Sequence, residues 1–203
     1  MDGYTRTMFT LTTAPKLKAL CWLCLPDGVH RNDPQPALVA TPGHGFGAKD
    51  LLAMNIRRKR RREGEGYQKD LALQAVRLGY PVLVVEPLGF GERREKEMLH
   101  LPTAGNNGCH QAALMATLLG TTLPGIRIHE LRRCIDYLQT VPEVDGDRIG
   151  MMGISGGGGH CRLRASRALA RHGGAGGTEP VLLRGAYLAV DAGADPGQAG
   201  LPG

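Results

Sequence analysis

The chain has 203 residues, the size of one domain or of one domain with a short appendage. Its 42% hydrophobic and 22% charged residues are typical of a globular protein, which excludes a disordered chain and a disulfide-stapled miniprotein. The formal net charge of +6 comes entirely from six consecutive cations, Arg57–Arg62, since the other 19 Lys and Arg residues balance 19 Asp and Glu residues. The basic character is therefore local.

The sequence also limits the compartment in which the chain is expected. No apolar run approaches the roughly 18–20 residues of a transmembrane helix, and the N-terminus lacks the pattern of a signal peptide. The five cysteines, an odd number scattered along the chain, are typical of reduced intracellular thiols. We therefore predict a cytoplasmic protein that makes no membrane contact.

Apolar runs alternate with helical patterns along the chain. Five apolar runs predict strands, at 16–25, 37–41, 81–85, 148–152 and 181–190. Three stretches have helical spacing of apolar residues, at 67–78, 109–119 and 126–139. This alternation indicates an α/β fold with a doubly wound, mainly parallel sheet.

Cysteine and histidine side chains are the candidates for metal binding or redox chemistry. Cys21 and Cys24 form a C-x-x-C motif, but it lies in a predicted strand rather than at a helix N-terminus, which favours core packing. Histidines without ligand spacing occur at 44, 100, 110 and 129, and no phosphate-binding or dinucleotide fingerprint is present. We predict neither a cofactor nor a metal.

The most specific motif is Gly-Ile-Ser-Gly-Gly at 153–157, a G-x-S-x-G that follows an apolar strand. A nucleophile on a sharp strand-to-helix turn needs glycines two residues before and after it, because the neighbouring backbone crowds those positions. Such a turn would lift the hydroxyl of Ser155 out of the sheet, beside the positive end of a helix. We predict Ser155 as a nucleophile, with a structural glycine-rich turn as the alternative.

Three motifs in order resemble those of the α/β-hydrolase fold family, most closely the dienelactone hydrolase and acetyl xylan esterase-like bacterial esterases. They are Pro-Gly-His-Gly-Phe-Gly at 42–47, Glu-Pro-Leu-Gly-Phe-Gly-Glu-Arg-Arg at 86–94, and Asp-Arg-Ile-Gly at 147–150 leading into 153–157. The resemblance covers about residues 15–160. It implies a serine hydrolase of small carboxylic esters that forms an acyl-enzyme on Ser155 and needs no cofactor.

The resemblance also implies an oxyanion hole. Its two donors would be the backbone N–H groups of Gly156, the residue after the nucleophile, and of His44 in the glycine-spaced loop. Pro42 departs from the family pattern, which usually begins this loop with His-Gly. Because the donor is a backbone group, the departure concerns the shape of the loop, and the His44 side chain is expected to orient or pack.

The sequence does not identify the triad acid and base. The family order is serine, acid, histidine, whereas His160 and His172 both precede the later aspartates Asp191 and Asp195. His160 is a weak candidate base, because it would lie on the helix after the nucleophile and point away from the hydroxyl. Asp191 is a weak candidate acid, because it follows the strand before the one that usually carries the acid.

The family match fades at about His160, where the sequence becomes rich in Gly, Ala and Arg. We interpret residues 1–160 as the N-terminal part of a hydrolase core and 161–203 as atypical, through a frame shift or truncation that removes the C-terminal strands or as an unusual natural end. A hydrolase remnant without a triad base is thus the alternative to an active esterase. The remnant would associate with itself through an exposed sheet edge.

Two further functional alternatives remain. A peptidase could share the fold and the nucleophile turn. The cations Arg57–Arg62 are interpreted as a solvated loop insertion, with contact to an anionic surface or nucleic acid as the alternative. No aromatic residue interleaves with them, which argues against a stacking platform for single strands.

Overall fold

One mixed sheet organises the part of the chain that the structure describes. The structure, a computed structural model, describes residues 3–99, 108–161, 181–183 and 186–190. The strands are β1 (Tyr4–Ala14), β2 (Leu17–Pro26), β3 (Gln35–Thr41), β4 (Val82–Glu86), β5 (Val144–Ile154), β6 (Val181–Leu183) and β7 (Ala186–Val190). Their order across the sheet is β1-β2-β4-β3-β5-β7-β6.

The parallel part of the sheet is its centre. β3 pairs in parallel with both β4 and β5, whereas the pairs β1–β2, β2–β4, β5–β7 and β6–β7 are antiparallel. A two-residue turn joins β1 to β2, and so short a connection permits only antiparallel pairing. The predicted α/β class is confirmed, but the described sheet is mixed rather than mainly parallel, because only two of its six strand pairs, β3–β4 and β3–β5, are parallel.

Helices cover both faces of the sheet. They are α1 (Leu71–Arg77), α2 (Cys109–Leu118) and α3 (Leu123–Leu138), and residues 156–161 are also helical. Short 3₁₀ turns occupy Gly47–Leu51, Gly91–Arg93 and Lys96–Met98. At the start of α3 the hydroxyl of Thr122 accepts a hydrogen bond from the N–H of Gly125 at 3.1 Å, a typical N-cap. Within the described residues, no helix combines the length and apolar character that a membrane crossing requires.

Two apolar clusters lie on opposite faces of the sheet. One packs α3 against the sheet through Leu131 and Leu138, and the other packs α1 through Leu73 and Val76. Cys21 belongs to the α3 cluster and Cys24 to the α1 cluster, because residues three apart on a strand face opposite ways. The sheet therefore separates the two thiols, and both serve as core side chains.

The observed elements differ from the predicted ones in several places. β1 was not predicted, because most of its side chains are exposed and it lacks a continuous apolar run. α1 begins at Leu71 rather than 67, since Asp70 before it has a left-handed backbone with φ +54°. The apolar run at 181–190 forms two antiparallel strands rather than one, and β5 extends beyond 148–152 on both sides.

The centre of the sheet is expected to carry much of the stability. Leu83 on β4 is fully buried, whereas Leu78 after α1 is 77% exposed. We expect Leu83→Ala to lower the free energy of unfolding by about 2–5 kcal/mol, because it removes apolar contacts and leaves a cavity. The matched change Leu78→Ala should cost within about 0.5 kcal/mol. Urea denaturation of both variants checks this, and equal losses would contradict the assigned core.

Candidate active site

Ser155 lies on the tight turn between β5 and the helical residues 156–161. Its φ is +52°, a left-handed conformation that non-glycine residues rarely adopt and that often marks functional sites. Its side chain is exposed at the end of a strand whose preceding residues are buried. The turn thus presents a hydroxyl to solvent at the carboxyl end of a central strand.

The glycines of the motif are required by close backbone approach. A Cβ at Gly153 would lie 2.6 Å from the hydroxyl of Thr41 and 2.6 Å from the carbonyl carbon of Gly157. A Cβ at Gly157 would lie 2.5 Å from the carbonyl oxygen of Pro42 and would overlap that of Thr41. The turn after β5 therefore packs directly on the end of β3, where only glycine fits.

The glycine-spaced loop at 42–47 starts beside Ser155. A Cβ at Gly43 would lie 3.0 Å from the Cβ of Ser155, so the two backbones are neighbours. Among the described residues, the N–H groups of His44 and Gly156 have no hydrogen-bond acceptor. Both predicted oxyanion donors are therefore available, and a carbon placed on Gly156 would be 3.3 Å from the His44 ring.

The side chain of His44 packs against its neighbours. Its ring lies on Phe90 with the centroids 4.4 Å apart, and its Nε2 is 3.5 Å from the Sγ of Cys109. Burial, and secondarily the charge of Arg127, lowers the pKa of His44. These contacts fit a neutral imidazole that lines the site.

His160 lies on the helical residues that follow Ser155 and is 6% exposed. Its Nε2 is 3.3 Å from Nη1 of Arg127, which can only donate, so Nε2 accepts and the ring proton is on Nδ1. That Nδ1 is buried and has no hydrogen-bond partner among the described residues. Burial, then Arg127 and His44, lowers the pKa of His160 to about 4. The imidazole is thus held neutral against Arg127, beside a small cavity of about 10 Å³.

Arg127 of α3 connects several parts of the site. Its guanidinium donates to the carbonyl of Leu88 at 2.9 Å, lies 4.5 Å from the centre of the Phe90 ring, and is 3.1 Å from Sγ of Cys109. It is only 6% exposed. A buried cation therefore fixes the loop after β4 and the first residue of α2 around the two histidines.

No described side chain forms a hydrogen bond with the Oγ of Ser155. His160 is directed to Arg127 and His44 to Phe90 and Cys109. Asp191 lies outside the described residues, as do residues 162–180 and 192–203. The described residues thus place the predicted nucleophile, Ser155, beside the two predicted oxyanion donors, and no described side chain is bonded to the serine as a base.

Glu86 is a fully buried carboxyl at the end of β4, beneath the glycine-spaced loop. Its Oε1 accepts a hydrogen bond from the N–H of Ala48 at 3.1 Å, and its Oε2 is buried. The backbones of Gly47 and Gly91 enclose it, since a Cβ on either would lie within 2.7 Å of its Cδ. Burial raises the pKa of Glu86 to about 7, against the smaller lowering effects of Ala48 and Lys49.

The cationic segment Arg57–Arg62 is largely paired with acids. Its ion pairs are Arg58–Glu92, Arg60–Glu63, Arg61–Asp70 and Arg62–Glu65. The pair between Arg61 and Asp70 is mostly buried, with side chains 16% and 4% exposed. Sequence patterning predicted a solvated insertion, whereas two of these arginines, Arg58 and Arg61, attach the segment to the rest of the fold.

Sequence reasoning missed two residues that organise the site. Gln68 precedes α1 and hydrogen-bonds Gly43, and Arg127 is one of several arginines of α3. Arg127 occupies a buried position of a helix whose other buried residues are mainly apolar, so helical spacing could have flagged it. Gln68 carries no comparable signal in the sequence. Among the described residues, no three His, Cys, Asp or Glu side chains group as metal ligands.

Comparisons with known proteins place this geometry in a known fold. No family model matches the chain. The Bacillus subtilis (strain 168) protein named "Putative hydrolase YtaP" is 31% identical over 133 residues, which are 62% of this chain and 37% of that protein. Among solved structures, one titled "putative acetyl xylan esterase" from Bacteroides fragilis has a TM-score of 0.69 at 22% identity, covering 82% of this chain and 42% of its own.

A dienelactone hydrolase-like promiscuous phosphotriesterase from metagenomic libraries is also similar. Its TM-score is 0.51 at 21% identity, with 81% of this chain and 55% of that chain covered. This chain thus spans less than two thirds of the length of the proteins it matches. The described residues have the α/β-hydrolase fold.

The contact between Gly157 and the end of β3 gives a stability prediction. We expect Gly157→Ala to lower the free energy of unfolding by about 1–3 kcal/mol, because its methyl group meets the rigid carbonyls of Thr41 and Pro42. Gly159→Ala is the matched control, since its Cβ would meet nothing within 4 Å and alanine favours a helix. Thermal unfolding of both variants measures the difference, and equal stabilities would contradict this packing.

Glu86 gives a pH prediction. A carboxyl with a pKa of about 7 when folded and near 4.5 when unfolded binds its proton more tightly in the folded state. Its contribution to stability is therefore lost as the pH rises from about 4.5 to about 7. A glutamine at this position is neutral at every pH. We therefore expect the free energy of unfolding of Glu86→Gln, minus that of the native chain, to increase as the pH rises from about 4.5 to about 7. Urea unfolding of both chains at several pH values measures that difference. The titration of His160 contributes equally to both chains and therefore drops out of the difference. A difference that does not change with pH would contradict the raised pKa of Glu86.

Proposed function

We propose that this chain, which has the α/β-hydrolase fold, carries the nucleophile and the oxyanion hole of a serine hydrolase of small carboxylic esters. The single observation that carries the proposal is the strained, exposed Ser155 beside the N–H groups of His44 and Gly156, which have no acceptor among the described residues. Strain of this kind persists only where the surrounding structure enforces it. Here the glycine contacts with the end of β3 enforce it.

The proposed chemistry follows from those three groups. The Oγ of Ser155 forms a bond to the ester carbonyl carbon, and the carbonyl oxygen becomes an oxyanion that accepts hydrogen bonds from His44 and Gly156. The C–O bond to the alcohol then breaks, and the alcohol leaves with a proton. Water hydrolyses the acyl-enzyme, which releases the acid and restores the serine. The similar solved structure named "putative acetyl xylan esterase" supports an ester as the substrate.

A second candidate is a hydrolase remnant that does not turn over. The observation that favours it is the lack of any described base bonded to the Oγ of Ser155. Without a base, the serine would remain a neutral alcohol that attacks slowly. The two candidates differ in catalysis after acylation: an enzyme regenerates its serine, whereas a remnant releases no more than one equivalent of product.

Ester hydrolysis by the full chain tests the proposal. With p-nitrophenyl acetate we expect nitrophenolate release above background and an acetyl group on Ser155 in the intact mass of the protein. Ser155→Ala should reduce the rate to that of the buffer, because the nucleophile is removed. The control is Ser166→Ala, at the only other serine of the sequence, which should keep the native rate.

Each outcome of this experiment is informative. Many equivalents of product per chain support an active esterase, and a single equivalent supports the remnant. Hydrolysis that survives Ser155→Ala would falsify the role of Ser155. Hydrolysis that Ser166→Ala abolishes would place the nucleophile elsewhere in the chain.

A further inference from the structure

Gln68 makes more polar contacts with the glycine-spaced loop than any other described side chain. It lies on the turn before α1 and is 2% exposed. Its Oε1 accepts a hydrogen bond from the N–H of Gly43 at 2.7 Å, and its Nε2 lies 3.3 Å from the carbonyl oxygen of the same residue. Because a backbone N–H needs an acceptor, the side-chain amide can have only this orientation.

The contacts of Gln68 with Gly43 determine the direction of the N–H bond of His44. The carbonyl of Gly43 and the N–H of His44 belong to one planar trans peptide unit, in which the C=O and N–H bonds point in opposite directions. Drawing that carbonyl toward Gln68 therefore turns the N–H of His44 to the other side. Gly43 is also the loop residue whose Cβ position is 3.0 Å from the Cβ of Ser155. The peptide unit so oriented lies next to the nucleophile.

Gln68 is itself held in place by a second shell of contacts. Its Nε2 lies 3.4 Å from the carboxylate of Asp50, which also accepts the N–H of Phe46 at 2.8 Å. The following turn is fixed by Asp70, whose carboxylate accepts the N–H of Gly64 at 2.6 Å and pairs with Arg61. The cationic segment thus braces the turn that carries Gln68.

We infer that Gln68 is a positioning residue that aims the His44 N–H at the oxyanion of the substrate. The inference rests on the proposed function and identifies the side chain on which one half of the oxyanion hole depends. Gln68 itself would touch neither the substrate nor Ser155. Its loss should therefore slow acylation and leave substrate binding unchanged, because the oxyanion forms only in the transition state.

Two substitutions separate the bonds that Gln68 makes. Gln68→Met has a similar length and removes both the acceptor and the donor. Gln68→Glu keeps an oxygen for the N–H of Gly43 but has no hydrogen to donate to the carbonyl once it is ionised. Because burial beside Asp50 raises the pKa of such a carboxyl, all variants are assayed at about pH 9. If the contact of Gln68 with the Gly43 carbonyl orients the peptide unit between Gly43 and His44, both variants should acylate slowly. Gln139→Met makes the same chemical change at an exposed glutamine that follows α3 and does not contact this turn, and it serves as the control.

The experiment measures acylation of the full chain by p-nitrophenyl acetate over a range of ester concentrations. We expect both Gln68 variants to lower the maximal acylation rate about 10- to 100-fold, with the half-saturating concentration unchanged; this is a smaller loss than the roughly 100- to 1000-fold of removing an oxyanion donor, because the N–H of His44 remains but is misdirected. Gln139→Met should match the native chain. Thermal unfolding establishes that each variant is folded, and Gln68→Glu, which preserves the side-chain shape, carries the test if Gln68→Met does not fold.

The outcomes distinguish this inference from the proposed function. If Ser155→Ala abolishes acylation while both Gln68 variants acylate at the native rate, the role of Gln68 is overturned and the proposed function stands. A loss confined to Gln68→Met would also overturn it, since the bond to the carbonyl would then be dispensable. If Ser155 of the native chain is not acylated at all, the proposed function fails and the role of Gln68 fails with it.

Discussion

The backbone of the turn after β5 touches the backbone at the end of β3, and the candidate site is arranged around this contact. Gly153 and Gly157 allow the two segments to approach to distances that any side chain would prevent. The approach holds Ser155 in a left-handed conformation and brings the start of the glycine-spaced loop beside it. Parallel pairing of β3 with β5 makes this possible, because it places the carboxyl ends of both strands at one edge of the sheet.

Two buried polar side chains beneath the glycine-spaced loop also fix its shape. Gln68 and Glu86 reach it from two different elements and bond the backbone of Gly43 and Ala48. Both side chains are at least 98% buried, where an unpaired polar group is costly and a satisfied one is specific in direction. Bonds of this kind fix the orientation of individual peptide units, which apolar packing does not. The loop is therefore shaped by directional contacts on a rigid sheet.

The strands were predictable from the sequence where burial is continuous, and the turn that carries Ser155 was predictable where the glycine spacing is strict. β2, β3 and β4 are apolar runs that lie within one or two residues of their predicted positions. β1 escaped detection because an exposed edge strand has no continuous apolar signal. The contacts of Gln68 with Gly43 and of Arg127 with His160 join residues 25 and 33 positions apart. Such partners depend on how the chain crosses over, which local patterns do not reveal.

The anchoring of the cationic segment has a consequence for how the protein responds to ionic strength. Its outer attachment, Arg58 to Glu92, joins side chains that are 45% and 21% exposed, and its inner attachment, Arg61 to Asp70, is mostly buried. At about 1 M salt the screening length falls to about 3 Å, which weakens exposed pairs far more than buried ones. Concentrated salt would therefore loosen the outer end of the segment while the inner end stays attached. The buried pair of Arg61 with Asp70 would then hold the segment next to the turn that carries Gln68.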